Sequence, residues 1–484
     1  MAVGDSNLFF NRDTKVYAVQ YTGSATANVW QLPVLNGYSF SQSTNSSQVT
    51  LNEMASATGN SRRGQVSFND SLAPAEWSFD IYARPTTASS VVRAPEELLW
   101  HSMLSETVMY PAAGLAAGLA ITSATISGTT LTATFTAAAP TGGTYFKVGD
   151  SITVTGLSAA VGTTGASGTF VVTAATANTV SYTVPATVSG TVTATSAKAV
   201  SATFATTATE LDFFAASSNK TKLGTFDLYF VLGASKHTGT ADTYAASDVT
   251  TIYKIANCCV NEATVNFEID GITTISFSGM GTAISELASW TFTGSATNPD
   301  QTVATTHTLF TNGVTSTTNM IRNRLTSLNI VGTNPGINGG SAKTYGLTLT
   351  GGSITISNNM TFLTPESLGV VNTPLGHVTG TRSVSGNFTC YADELTNGSI
   401  DLYQDLLTAT NLITNKHQLQ FFVGGRGGTA GYPASPGIMF DLGQCHLEVP
   451  SVNIDDVIGF EVNFTALPTT ISGTDELTKI RYVS

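Results

Sequence analysis

Over residues 75–85, "AEWSFDIYARP", apolar side chains fall at every second position. Trp77, Phe79 and Ile81 take one side; Glu76, Ser78, Asp80 and Tyr82 take the other. A period of two marks a strand with one buried face, and Pro85 stops it. The alternation returns at Ile275 and Phe277 and at Phe460 and Val462, while "DLYFVLGA" (227–234) and "LQFFVGG" (419–425) read as apolar strands. Two segments change period. In "APEELLWHSML" (94–104), Leu99, Trp100, Met103 and Leu104 share one helical face, with Pro95 in the first turn and Glu96 and Glu97 at the positive end of the helix dipole. In "GSIDLYQDLL" (398–407), Ile400, Tyr403, Leu406 and Leu407 form the corresponding face.

These elements occur twice in one order. "CCVNEATVNFEIDGITTISFSGMGTAISEL" (258–287) resembles "CHLEVPSVNIDDVIGFEVNFTALPTTISGTDEL" (445–477): Cys259 and Glu262 match Cys445 and Glu448 at C-x-x-E spacing, Val265, Ile269 and Asp270 match Val452, Ile454 and Asp455, and both blocks finish in Glu-Leu. Upstream, "NGYSFSQST" (36–44) resembles "GGSITISNN" (351–359), and "EWSFDIYARP" (76–85) resembles "VSGNFTCYADE" (384–394) through Tyr-Ala at 82–83 and 391–392. The pattern predicts a duplicated unit of hairpin, helix and two or three further strands. Residues 118–205 interrupt the first copy with short alternating runs separated by Gly, Asp-Ser and Ala-Asn turns, the pattern of a small β-sandwich. The expected fold is therefore mainly β: a first unit at 1–117 and 206–300, an inserted β-sandwich at 118–205 that resembles Ig-like modules and projects outward from an exposed loop, and a second unit at 301–484.

Composition narrows the function. The 484-residue chain is 42% hydrophobic but only 11% charged, against about 25% in ordinary globular domains. Its net charge of −12 argues against a surface that grips nucleic acid. Cys258, Cys259, Cys390 and Cys445 form no CxxC pair or disulfide framework and are expected as buried thiols. "MAVGDSNLFF" lacks the features of a signal peptide, and the apolar run from Tyr110 to Ile121 is shorter than the ~20 residues of a membrane span. A soluble cytoplasmic product is the expectation.

Near-motifs for chemistry fail individually. "NGGSAKT" (338–344) has Ala342 where a phosphate loop needs glycine before Lys343; "GGRGG" (424–428) reads as a loop; "SSNK" (217–220) stands without the companion motifs of its hydrolase class. The six histidines are scattered, and the repeated Cys-x-x-Glu supplies too few ligands for a metal. No catalytic residue, cofactor or metal is expected, and a duplicated, β-rich, charge-poor chain suits assembly better than catalysis.

"LPVLNGYSFSQSTNSSQVTLNE" followed by "RRGQVSFNDSLAPAEWSFDIYARP" resembles the N-terminal half of a tail tube protein of a long-tailed bacteriophage. The residues that carry the likeness are Arg62, Arg63, Gly64, Gln65 and Phe68, then Glu76, Trp77, Ser78, Phe79, Arg84 and Pro85; it is specific over about 1–105 and weaker through the second copy. The resemblance implies a tail-tube β-sandwich/barrel in each unit, and rings whose strands join around a lumen and stack into a tube. Two units per chain imply three chains per pseudo-hexameric ring, with phage DNA in transit rather than specifically bound. It further implies partners in the tape measure, tail terminator and distal tail or baseplate proteins. Strands near 36–53 and 64–84 would be wall strands, with Glu76, Ser78 and Asp80 facing the lumen and Arg62, Arg63 and Arg84 contacting a neighbouring subunit. An Ig-like module outside the tube would occupy the space of a sheath, which favours a non-contractile tail. A distal tail or baseplate ring protein of related fold is the alternative.

Overall fold

The computed structural model describes residues 8–21, 27–50, 65–88, 91–104, 119–135, 151–161, 165–176, 178–201, 210–213, 223–236, 243–244, 250–291, 319–332, 343–365, 367–368, 371–409, 416–425, 436–454, 456–468, 476–477 and 479–483. The first strands are β1 (Lys15–Tyr21), β2 (Ala27–Leu32), β3 (Ser39–Ser41), β4 (Thr44–Thr50), β5 (Gln65–Leu72), β6 (Ala75–Tyr82), β7 (Thr86–Ala88) and β8 (Val91–Arg93). Helix α1 (Glu97–Leu104) follows. Then come β9 (Leu119–Ser127), β10 (Thr130–Phe135), β11 (Ser151–Val161), β12 (Gly168–Ala175), β13 (Thr179–Thr183) and β14 (Ser189–Ser201). Beyond them run β15 (Glu210–Phe213), β16 (Phe226–Leu232), β17 (Thr243–Tyr244), β18 (Thr251–Glu268), β19 (Thr274–Gly281), β20 (Ala283–Leu287) and β21 (Trp290–Thr291). The second half holds β22 (Ser327–Gly332), β23 (Lys343–Gly346), β24 (Leu349–Ser357), β25 (Thr361–Leu363), β26 (Gly376–Val378) and β27 (Ser383–Tyr391). Helix α2 (Ser399–Ala409) precedes β28 (His417–Gly424), β29 (Gly437–Leu447), β30 (Ser451–Ile454), β31 (Ile458–Ala466) and β32 (Lys479–Val483).

β18 organises the first half. Its N-terminal part lies between β16 and β20, and its C-terminal part between β19 and β24. The change of partner follows Asn257, at φ 50°, a left-handed conformation that asparagine tolerates better than most side chains. Its N–H donates to Asp227 Oδ1 at 2.8 Å. Through β18 the strands β3–β6–β19–β18–β24–β27–β31–β30 form one antiparallel succession. Two further successions, β2–β1–β16–β18 and β23–β22–β28–β29, correspond strand for strand.

The duplication is thus visible in the pairing, with several differences from the sequence alignment. Cys258, not Cys259, matches Cys445: each lies opposite the first residue of the preceding strand, Phe226 or His417, and each faces the main core. The register shift after Val260 recurs beyond Leu447, so Val265 and Val452 remain matched. The shared C-x-x-E spacing is therefore displaced by one residue. The terminal Glu-Leu pairs also differ, since Glu286 and Leu287 end β20 whereas Glu476 and Leu477 precede β32.

One apolar core runs through both copies, from Trp30, Trp77, Phe79 and Trp100 to Phe388, Phe421, Phe440 and Phe464. Every residue of α1 is buried. The buried seam of α2 is Leu402 and Leu406, one turn apart. Tyr403 instead stacks on Phe460 at 5.2 Å, and Leu407, expected on the packed face, is exposed. Lys343 and Tyr345 of β23 bind Asp405 of α2 at 2.5 and 2.7 Å. In place of the phosphate loop the sequence only imitates, Lys343 fastens a helix.

β9–β14 close into a barrel with its own core, including Leu131, Ile152, Val154, Val180 and Tyr182. Tyr182 stacks on Phe170 at 4.5 Å. Its first and last strands are neighbours, with Leu119 opposite Ala199 and Ala120 opposite Lys198.

Candidate functional site

β6 alternates as its sequence dictates: Trp77, Phe79 and Ile81 are buried, Glu76 and Asp80 are exposed, and Ser78 and Tyr82 are half-buried. Its neighbours continue both faces. Opposite Ser78 and Asp80 stand Ser278 and Ser276 on β19; then come Glu262, Thr264, Asn266 and Glu268 on β18. Ser353 and Thr355 of β24, Ser385, Asn387 and Thr389 of β27, and Glu461 and Asn463 of β31 extend the same surface. Serine and threonine suit it because a short hydroxyl satisfies a cross-strand partner without crowding the pleat. Ser39 and Ser78 hydroxyls lie 2.8 Å apart, and those of Thr264 and Thr355 3.1 Å apart. Ser353 donates to Asn387 Oδ1 at 2.8 Å, and Asn387 Nδ2 donates to Glu461 Oε1 at 2.8 Å.

Five carboxylates, Glu76, Asp80, Glu262, Glu268 and Glu461, stand on this polar face, and none of the outward positions named carries lysine or arginine. The sequence pointed to Glu76, Ser78 and Asp80 alone. The others obey the same period of two, but their shared face depends on strand pairings that sequence spacing does not reveal.

The expected wall spans 36–53 and 64–84 do not join one sheet throughout. Among their described residues, Ser39–Ser41 and Ala75–Tyr82 join the sheet, whereas β4 and β5 pair with each other as a separate hairpin. Val66 and Phe68 on β5 are exposed. Asn372 holds the base of this arm through Leu72 N–H donating to its carbonyl at 2.8 Å and its own N–H donating to Asp70 O at 3.1 Å. Arg62 and Arg63 lie outside the described residues. Arg84 is half-buried; desolvation lowers its pKa, and the negative charge of Glu96 acts the other way.

Glu96 and Glu97, expected at the N-terminus of the helix, are both buried. Tyr482 Oη donates to Glu96 Oε1 at 2.7 Å and accepts from Trp100 Nε1 at 2.7 Å. Glu97 Oε1 accepts from Trp30 Nε1 at 3.0 Å and from Arg93 at 3.2 Å. Burial raises Glu96 to about 7 despite the Tyr482 bond. Desolvation also lowers His101, on the same helix, to about 3. The network ties α1 to β32 through Tyr482 and to β2 through Trp30.

The four cysteines are buried and free, and burial pushes Cys390 and Cys445 up to about 12, which leaves them protonated and unreactive. Cys259 Sγ lies 3.0 Å from His377 Nδ1, and His377 Nε2 accepts from the Leu223 N–H at 2.8 Å. Among the described residues, no three His, Cys, Asp or Glu side chains gather as metal ligands. No described helix is long and apolar enough to cross a membrane.

A family model for phage tail tube proteins matches residues 212–466. The chain belongs to this family. Tail tube proteins are structural components of the phage tail, not enzymes, which agrees with a site made of hydroxyls and carboxylates on an open sheet face. The chain is also 26% identical over 473 residues to tail tube protein pb6 of Escherichia phage T5, across 96% of this chain and 74% of that protein. The family match lies downstream of the 1–105 stretch where the likeness was expected to be strongest. It takes in β16 through β31 as one run, whereas the barrel β9–β14 separates the N-terminal strands from their continuation.

Proposed function

We propose that three copies close a pseudo-hexameric ring, each supplying two of its six units, and that stacked rings form a tube conducting phage DNA during ejection. The observation that carries this reading is the succession β3–β6–β19–β18–β24–β27–β31–β30, where two repeats already lie side by side with one packed face and one acidic, polar face. On this reading Glu76, Ser78 and Asp80 face the lumen together with Glu262, Glu268 and Glu461. Fixed carboxylates repel phosphates and give the duplex nothing to hold.

Residues 118–205 form an Ig-like module projecting outward, because its adjacent ends suit insertion at an exposed loop. Its position outside the wall fills the space a sheath would need, which makes the tail non-contractile. The units are 1–117 with 206–300, and 301–484. Arg62, Arg63 and Arg84 contact the neighbouring subunit. Tape measure, tail terminator and distal tail or baseplate proteins are the partners within the tail.

Negative-stain electron microscopy of the purified protein, with its mass in solution, tests the reading. Tubes or stacking rings with three-fold symmetry and outward knobs are expected. Closed rings that never stack would transfer the chain to a distal tail or baseplate position. A sheath directly over these rings would overturn the non-contractile reading.

A further inference from the structure

The two repeats meet inside the chain where β18 pairs with β24, with Thr264 opposite Thr355, Val265 opposite Ile354 and Asn266 opposite Ser353. The repeat supplies the counterparts of both strands. Ile81 and Cys390, each just before a Tyr-Ala pair, lie opposite Ile275 and Phe460, and these lie opposite Val265 and Val452. β30 is therefore the counterpart of this part of β18. Likewise Phe40 lies opposite Trp77 as Ile354 lies opposite Gly386, which makes β3 the counterpart of β24.

Both counterparts are edges: among the described residues β30 pairs with β31 alone and β3 with β6 alone. Their exposure differs from that of the internal seam. Val265 and Phe267 are 1% and 2% exposed, whereas Val452 and Ile454 are 45% and 77% exposed. β3 is held ready, with Phe40 against Phe230 at 4.5 Å and Tyr253 at 5.6 Å. Pro450, which lacks an N–H, stops β30 from extending this edge toward β29.

We infer that β30 of one copy pairs antiparallel with β3 of the next in the register of the internal seam, placing Ser451 opposite Ser41, Val452 opposite Phe40 and Asn453 opposite Ser39. This rests on the ring reading and deepens it by naming the strands and their register. Val452 then buries against the aromatic row of its neighbour, while Ser451 and Ser41 repeat the Thr264–Thr355 hydroxyl contact on the polar face. Joining the edges also removes an open template for uncontrolled pairing.

The test is oxidative cross-linking of the full-length protein. Directly opposed residues fall within disulfide reach, whereas diagonal ones lie about 7–8 Å apart. The native cysteines are buried and do not compete. S41C/S451C and S39C/N453C are expected to give covalent trimers on a denaturing gel, and S39C/S451C at least tenfold less. Each single variant should give only dimers or monomers. Electron microscopy before oxidation reads assembly separately from pairing. Assembly without a link in either matched variant, or preferential linking of S39C/S451C, overturns the register while leaving the tube reading intact. A chain that stays monomeric under all assembly conditions overturns both.

Discussion

Trp77 on β6 lies directly across from Gly279 on β19, and the second repeat holds the pair with its partners exchanged, Gly386 across from Phe464. A Cβ at 279 would stand 2.5 Å from the Trp77 ring and 2.0 Å from the Cys259 carbonyl oxygen, and one at 386 would stand 2.8 Å from the Phe464 ring. One large ring per strand pair fits the space, and either strand can supply it. Gly279→Ala should therefore cost about 1–3 kcal/mol, as overpacked cores do. Thermal unfolding should show a lower Tm, and an unchanged Tm would contradict the fit.

The acid at the start of α1 makes stability depend on pH. Glu96 is raised to about 7 in the fold, so between the unfolded value near 4.5 and about 7 the native state holds the extra proton. Stability from this group is fully present below about 4.5 and declines as pH rises to 7, by about 3 kcal/mol at most. His101, lowered to about 3, has the opposite slope between about 3 and 6.5, since the unfolded chain takes up its proton first. Glu96→Gln removes only the first slope. Denaturant unfolding from pH 4.5 to 8 should show the variant gaining on the parent protein up to about pH 7 and holding level above it; a constant difference throughout would count against the buried acid.

Tyr482 joins the C-terminal strand to α1 through Trp100 and Glu96. Tyr482→Phe keeps the ring in the core but removes the hydroxyl from two buried partners, at a cost of about 1–3 kcal/mol. Combined with Glu96→Gln, the loss should be less than the sum of the two single effects, because the groups are coupled. A double-mutant cycle measures this directly.

Reversing charge on the polar face should change how tubes treat DNA without changing their assembly. Glu76 and Asp80 are exposed and alternate with the buried Trp77 and Phe79, so Glu76→Lys with Asp80→Lys leaves the packed face intact. Variant particles should eject DNA more slowly at low salt and regain most of the parent rate between 50 and 200 mM salt, where phosphate contacts weaken by roughly tenfold or more. Time-resolved DNA release is the readout; equal rates at every salt concentration would remove these residues from the lumen.

Much of this organisation is legible in the chain itself. The period of two on "EWSFDIYA" sets both faces of β6 because burial on one side selects alternate residues. The repeated order of strands and helix anticipates the matched successions around β18 and β29. What the sequence hides is non-local or hangs on a single residue. Nothing near Glu262 announces Ser357 as its neighbour. Adjacent Cys258 and Cys259 let C-x-x-E spacing select the wrong cysteine, and only the strand pairing shows that Cys258 is the match. The sequence places Glu96 at a helix N-terminus but not beneath a tyrosine from the far end of the chain. The β4–β5 arm alternates like a wall strand, yet separates from the sheet just past Ser41.

The barrel of residues 119–201 begins and ends on adjacent strands, with Leu119 beside Ala199. To the flanking chain it is a detour that returns to its starting point, so the distance the main fold must bridge hardly depends on what fills the loop. A cassette attached in this way can be lost, lengthened or exchanged for a foreign sequence whose two ends also meet, and the same backbone positions become a place to hang a display module.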